Sequence, residues 1–199
     1  MAHEVGGVTS DLLTISSTEP FPHFRIEGML DAGFGDAILR WLQSDAPWRL
    51  RIESFYEQYE FSLLLDPPPR DLRFIVSDKF VDRLRALLST HLLANSELEL
   101  VDITVHRLVP GQTIRIHNDY LNGEETHRFL IQLNSGWDLA KGGLLILFAS
   151  ASPEDIATIF QPTHRSAFGF EISERSFHAV STIRDGERFT LVYSFRETG

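Results

Sequence analysis

Beyond Asn95 the chain runs through eight short β-rich stretches: LVDITVHRLV, QTIRIHND, RFLIQLN, GLLILFA, ATIFQP, SAFGFEI, FHAVSTI and RFTLVYSF. Turn-forming sequences punctuate them, namely PGQ, NGEE, NSGWDLAKGG and RDGE. Short runs rich in β-branched and aromatic residues, bounded by Gly, Asn and Asp, are strand signals. Such a series predicts a closed or two-sheet β-barrel rather than βαβ units.

The first half reads differently. Residues 1 to about 18 form a loose or strand-forming lead, and PFPHFRIEGML predicts a strand. In LDAGFGDAILRWLQSD, Asp31 is placed to cap a helix whose Phe34, Ile38, Leu39 and Leu42 recur at helical spacing. WRLRIESFYEQYEFSLLL has β-type content for one or two strands. DPPPRD ends any regular element, because proline lacks the N–H that a helix or central strand needs. SDKFVDRLRALLSTHLL predicts an amphipathic helix over residues 78 to 93, capped by Ser77 or Asp78. Its Phe80, Leu84, Leu87 and Leu88 face inward, and it is expected to support the outer face of the larger sheet. With 199 residues, 43% of them hydrophobic, the chain has material for one domain with a substantial core. The division expected is strands and supporting helices over 1–98 and the barrel core over 99–197.

The formal net charge is −10 and there is no run of Lys and Arg, so nucleic acid is not an expected partner. Cysteine is absent, which excludes disulfides and thiolate metal sites. The opening MAHEVGGVTSDLL lacks a basic segment followed by an apolar one, and no apolar run is long enough to span a bilayer. A soluble cytoplasmic protein with no membrane partner is therefore expected.

Chemistry concentrates in RIHNDYLNGEETHR, residues 115 to 128. His117 and Asp119 stand two apart at the end of a strand run, where an extended backbone aims both side chains at one face. That spacing lets one metal ion take both. A third donor would close a two-histidine, one-carboxylate facial triad, the arrangement of non-haem Fe(II) oxygenases. His178, at the start of the second-to-last strand, is the best candidate. Arg188 follows on the last strand. Inside a barrel a guanidinium needs a carboxylate, which it grips through parallel hydrogen bonds. The far carboxylate of 2-oxoglutarate would supply one, and Thr190, on the same face, could add a donor.

HND (117–119), RFLIQLNSGWDLAKGGLLILF (128–148), FHAV (177–180) and ERFTLVYSF (187–195) together resemble the Fe(II)/2-oxoglutarate-dependent oxygenases of the prolyl-4-hydroxylase-like kind. PFPHFRIEGMLDAGF resembles the strand and helix that precede the barrel in that family. The resemblance implies a mainly β fold with flanking helices, a double-stranded β-helix of the jelly-roll, cupin-like type. It implies that His117, Asp119 and His178 are catalytic and hold Fe(II), and that Arg188, assisted by Thr190, binds 2-oxoglutarate. The family's tyrosine before the LN is here Gln132, still a hydrogen-bond donor to the cosubstrate, and its tyrosine two residues before the PG turn is here Leu108. O2 is the oxidant implied, with ascorbate as accompanying reductant. The implied activity is hydroxylation of an unactivated C–H bond in an amino acid, peptide or natural-product-type small molecule, with release of succinate and CO2. Related halogenases lack the carboxylate, so Asp119 points to hydroxylation.

Arg115, Arg128 and Tyr120 are the candidate substrate contacts. Blander roles stand beside these. His106 is a core or wall histidine, His127 and His164 are solvated, Trp137 packs after LNSG, Gly142 and Gly143 make a tight turn, and Glu124 and Glu125 lie in a solvated turn. A non-catalytic β-barrel that binds or senses a metal or dicarboxylate, and a cupin-like metalloenzyme without 2-oxoglutarate, are the alternative functions.

Overall fold

The computed structural model describes residues 13–92, 97–121 and 124–198. The first twelve residues of the expected lead, Leu93 of the expected helix, and Asn122 and Gly123 of the NGEE turn lie outside them. In chain order come β1 (Thr14–Ser17), β2 (His23–Ile26), α1 (Ala32–Ser44), β3 (Arg49–Ile52), β4 (Glu57–Ser62) and a 3₁₀ helix, Arg70–Val76. They are followed by α2 (Asp78–Leu92), β5 (Glu97–Leu108), β6 (Ile114–His117), β7 (His127–Gln132) and a short 3₁₀ helix, Leu139–Lys141. The chain ends with β8 (Leu145–Phe148), β9 (Ile156–Phe160), β10 (Ala167–Glu171), β11 (His178–Val180) and β12 (Arg188–Thr198). Each of the eight β-rich runs is a strand. The 3₁₀ helix after Pro69 was not anticipated; it uses the break in DPPPRD as its start.

Local chemistry sets the helix ends. The Asp31 carboxylate accepts the Phe34 N–H at 3.2 Å, satisfying one of the orphan donors of the first turn of α1. Phe34, Ile38, Leu39 and Leu42 are buried from that helix, and Pro47 stands three residues past its last residue. At α2 the Ser77 hydroxyl takes the Phe80 N–H at 3.3 Å, so Ser77 is the cap. Phe80, Val81, Leu84 and Leu88 are buried while Leu87 is partly so.

The strands form a major sheet in the order β1-β2-β10-β7-β12-β5-β4-β3 and a minor sheet in the order β6-β11-β8-β9. The central β10-β7-β12-β5 faces the minor sheet as the double-stranded β-helix, and β1 to β4 extend the major sheet at both sides. Alternation along β12 divides the labour. Phe189, Leu191, Tyr193 and Phe195 enter the core shared with the helices, while Arg188, Thr190, Val192 and Ser194 take the opposite, inner face. The Tyr193 hydroxyl, buried on the helix side, donates to the Ile75 carbonyl at 2.9 Å. On the inner face Thr190 sits between His106 of β5 and Gln132 of β7, and Arg188 lies beside Leu108.

Candidate metal and cosubstrate site

Two imidazoles meet through strand register. β6 and β11 pair antiparallel with His117 and His178 as direct Cα partners, and their ring centroids are 4.2 Å apart. Each ring is oriented by a backbone carbonyl two residues earlier. Nδ1–H of His117 donates to Arg115 O at 2.9 Å, and Nδ1–H of His178 donates to Ser176 O at 2.7 Å. A carbonyl only accepts, so the proton of the neutral ring belongs on Nδ1 and the lone pair on Nε2. Burial pushes the His178 pKa down and His117 adds to that, against the opposing pull of Asp119.

Asp119 reaches the same point by another route than the alternation expected of it. β6 ends at His117, and Asp119 has a φ of 59°, the left-handed region that Asp and Asn enter more readily than most residues. A turn, not a strand, therefore aims the carboxylate. Asn118 secures that turn: its Oδ1 accepts Tyr120 N–H at 3.2 Å and its Nδ2 donates to Glu174 O at 3.1 Å. The Ser176 hydroxyl donates to the Asn118 carbonyl at 2.7 Å, stapling the turn to the approach of β11.

Asp119 Oδ1 lies 3.3 Å from Nε2 of His117, and Oδ2 lies 3.2 Å from Nε2 of His178. The ligand atoms of all three residues lie within 4.8 Å of one another. Two lone-pair nitrogens and a carboxylate are all acceptors, so what satisfies them together is a cation. This donor set suits a divalent transition metal, with positions left for other ligands. Burial pushes the Asp119 carboxyl up, but the Arg128 guanidinium leads the opposing influences that hold it well below the ordinary range.

Arg188 is 3% exposed. Its Nη1 donates to Thr190 Oγ1 at 2.9 Å, and the Thr190 hydroxyl donates onward to Gln132 Oε1 at 3.0 Å. The relay turns the amide oxygen of Gln132 to Thr190 and leaves the amide N–H groups as donors. Arg188 Nε has no partner. Burial alone lowers the Arg188 pKa, to about 10; no carboxylate among the described residues offsets it. An uncompensated buried guanidinium costs on the order of several kcal/mol, and a dicarboxylate seated here would relieve that cost.

The other expected contacts are placed as follows. Arg128 turns to the protein: Nη1 donates to Asp119 Oδ2 at 2.7 Å, and Nη2 and Nε donate to Glu125 Oε2 at 2.9 and 3.1 Å. Glu125 is thus half of an ion pair rather than a solvated turn residue. Arg115 is exposed and its guanidinium donates to the carbonyl of Ser54 in the β3–β4 hairpin. Tyr120, next to Asp119, is 38% exposed. His106 is a wall histidine whose Nε2 lies 3.1 Å from Thr104 Oγ1. Burial, with Arg128 and Arg188 adding, pushes its pKa down to about 3. His127 is buried instead of solvated, its Nδ1 3.0 Å from Thr126 Oγ1, and His164 pairs with Asp36 of α1 at 3.0 Å. Trp137 packs as expected, its Nε1–H donating to Gly142 O at 2.9 Å.

Sequence reasoning missed Phe55, whose ring stacks on His117 at 4.6 Å, and the anchoring role of Asn118. Neither has a local signal: one partner lies far along the chain, and the other works through backbone groups.

A model of the 2OG-Fe(II) oxygenase superfamily matches residues 103–196, a span holding His117, Asp119, His178, Gln132, Arg188 and Thr190. Over that span, just under half of the chain, the sequence matches that superfamily, and the clustered His117, Asp119 and His178 agree with it. The oxygenase accordingly works with Fe(II), 2-oxoglutarate and O2, and the convergent acceptors and the buried guanidinium with its orphaned Nε fit the first two. No curated protein matches the oxygenase in sequence. Solved prolyl hydroxylases share its fold. The Pseudomonas putida prolyl-4-hydroxylase is 20% identical with a TM-score of 0.70, over 89% of this chain and 93% of that one. A prolyl hydroxylase from Trichoplax adhaerens, in complex with a hypoxia inducible factor oxygen degradation domain peptide fragment, is 14% identical with a TM-score of 0.73, over 88% and 83%. The viral collagen prolyl hydroxylase of Paramecium Bursaria Chlorella virus-1, in a 2OG complex, is 16% identical with a TM-score of 0.63, over 89% and 96%.

Proposed function

We propose that the oxygenase hydroxylates an unactivated C–H bond of an amino acid, a peptide or a natural-product-type small molecule. Succinate and CO2 leave as co-products. The observation that carries this is the pairing of the acceptor triad with the buried Arg188, whose Nε lacks a partner and whose charge no carboxylate among the described residues offsets, in one barrel. His117, Asp119 and His178 would hold the ferrous ion, and Arg188, Thr190 and Gln132 would take the distal carboxylate of 2-oxoglutarate. When bound, the ferrous ion supplies O2 activation coupled to decarboxylation. One oxygen atom enters succinate and the other enters the substrate, so R–H, O2 and 2-oxoglutarate balance R–OH, succinate and CO2. Arg188 orients the diacid by charge and fork geometry. The Nδ1–carbonyl bonds keep both imidazoles facing the metal without rearrangement. Asp119 occupies a position that a halide would need, which favours hydroxylation. Tyr120, exposed beside Asp119, is proposed to meet the substrate. The peptide held by the Trichoplax neighbour supports including peptides among the candidates.

The test is incubation of candidate substrates with enzyme, Fe(II), ascorbate and 2-oxoglutarate, followed by mass spectrometry for a gain of one oxygen atom and by succinate measurement. Activity is expected in the unsubstituted chain and lost in His117→Ala and Asp119→Ala. Equal turnover in all three would reject the site.

A further inference from the structure

We propose that Arg128 is a positioning residue of the metal site: it binds one oxygen of Asp119 so that the carboxylate offers the metal only the other. This rests on the metal assignment above. Each of the three ligands has its own outer contact. The imidazoles are held by carbonyls, and Asp119 Oδ2 is held by Nη1 of Arg128 at 2.7 Å. Asp119 is the ligand that most needs such a contact. It lies in a turn beyond β6, outside the strand ladder, and its backbone anchor through Asn118 leaves the carboxylate torsion open.

Arg128 is itself immobilised. It sits on β7, opposite Phe170 of β10 and Ser194 of β12, well inside the major sheet. Glu125 grips the far side of the guanidinium through Nη2 and Nε. Planar fork geometry lets the group serve Glu125 and Asp119 together, which a lysine ammonium cannot reproduce. With these donors committed to protein carboxylates, Arg128 is poorly placed to bind substrate. Its charge repels a metal cation, so electrostatics alone predicts tighter metal binding without it. Positioning predicts the opposite, and the two separate in one measurement.

Metal-free protein is titrated with Mn(II) by calorimetry, and the bound ion is examined by electron paramagnetic resonance. The expected result for Arg128→Met is a rise of about tenfold or more in the Mn(II) Kd, the usual cost of losing an outer contact to a ligand, together with a changed resonance signature. Arg128→Lys is expected to fall between this variant and the unsubstituted chain. Thermal unfolding of the metal-free proteins shows whether the variants are folded; should Arg128→Met not fold, Arg128→Lys decides alone, weaker binding supporting the proposal and unchanged binding overturning it. Unchanged or tighter binding in Arg128→Met with an unchanged signature overturns the proposal while leaving the metal site standing, provided that His117→Ala abolishes binding. If the unsubstituted chain binds no Mn(II), or His117→Ala binds it equally well, the metal assignment falls and the proposal with it.

Discussion

At the scale of single residues, Arg188 sets function against stability. Its guanidinium is buried with Thr190 as side-chain partner and an orphaned Nε. Losing its charge-assisted bonds to a diacid is worth about 3 kcal/mol, so Arg188→Met is expected to raise the KM for 2-oxoglutarate about a hundredfold. The same substitution removes an uncompensated charge from the metal-free, diacid-free protein. Such replacements are neutral or stabilising by about 1–4 kcal/mol, so thermal unfolding of that form is expected at the same or a higher temperature. An unaltered KM combined with a lowered unfolding temperature would show that the guanidinium has a structural partner after all.

Among the elements, the turn before β8 and helix α2 make contrasting predictions. Gly143 has a φ of 65°, and a Cβ there would lie 2.7 Å from Ile183 Cδ1 and 3.0 Å from Arg188 Cδ. Gly143→Ala is therefore expected to strain the turn and press on Arg188, lowering stability by about 1–3 kcal/mol and raising the KM for 2-oxoglutarate. Denaturant unfolding and the 2-oxoglutarate dependence of succinate formation would report the two effects. Leu84 of α2 is fully buried on the helix side of the major sheet. Leu84→Ala should cost about 2–5 kcal/mol yet leave that KM alone, because the helices and the proposed diacid site lie on opposite faces of the sheet. A large KM change in a still-folded Leu84→Ala protein would contradict this separation.

For the molecule as a whole, the polar inner face predicts acid sensitivity. His106 keeps a pKa of about 3 through burial, with Arg128 and Arg188 adding, against a usual 6.5. As pH falls from 6.5 towards 3, the unfolded chain binds a proton that the folded one refuses, so stability drops, by about 2 kcal/mol at pH 5 from this residue alone. His23, His127 and His178, lowered chiefly by burial, act in the same direction. Urea unfolding between about pH 7 and pH 5 should show the decline, and His106→Gln should flatten it; an equal slope in both proteins would remove His106 from the account. Strands, caps and the chemical types of the ligands were legible in the chain, because alternation, turn residues and capping act over a few neighbouring positions. Asp31 and Ser77 could be found that way, as could the eight C-terminal strands. Other features needed the folded molecule. Pairing placed His178 opposite His117, a left-handed turn rather than a strand aimed Asp119, Arg128 found Asp119 and Glu125, and β1 to β4 joined the major sheet. These depend on strand register and on contacts between residues far apart in sequence, which no short-range pattern encodes.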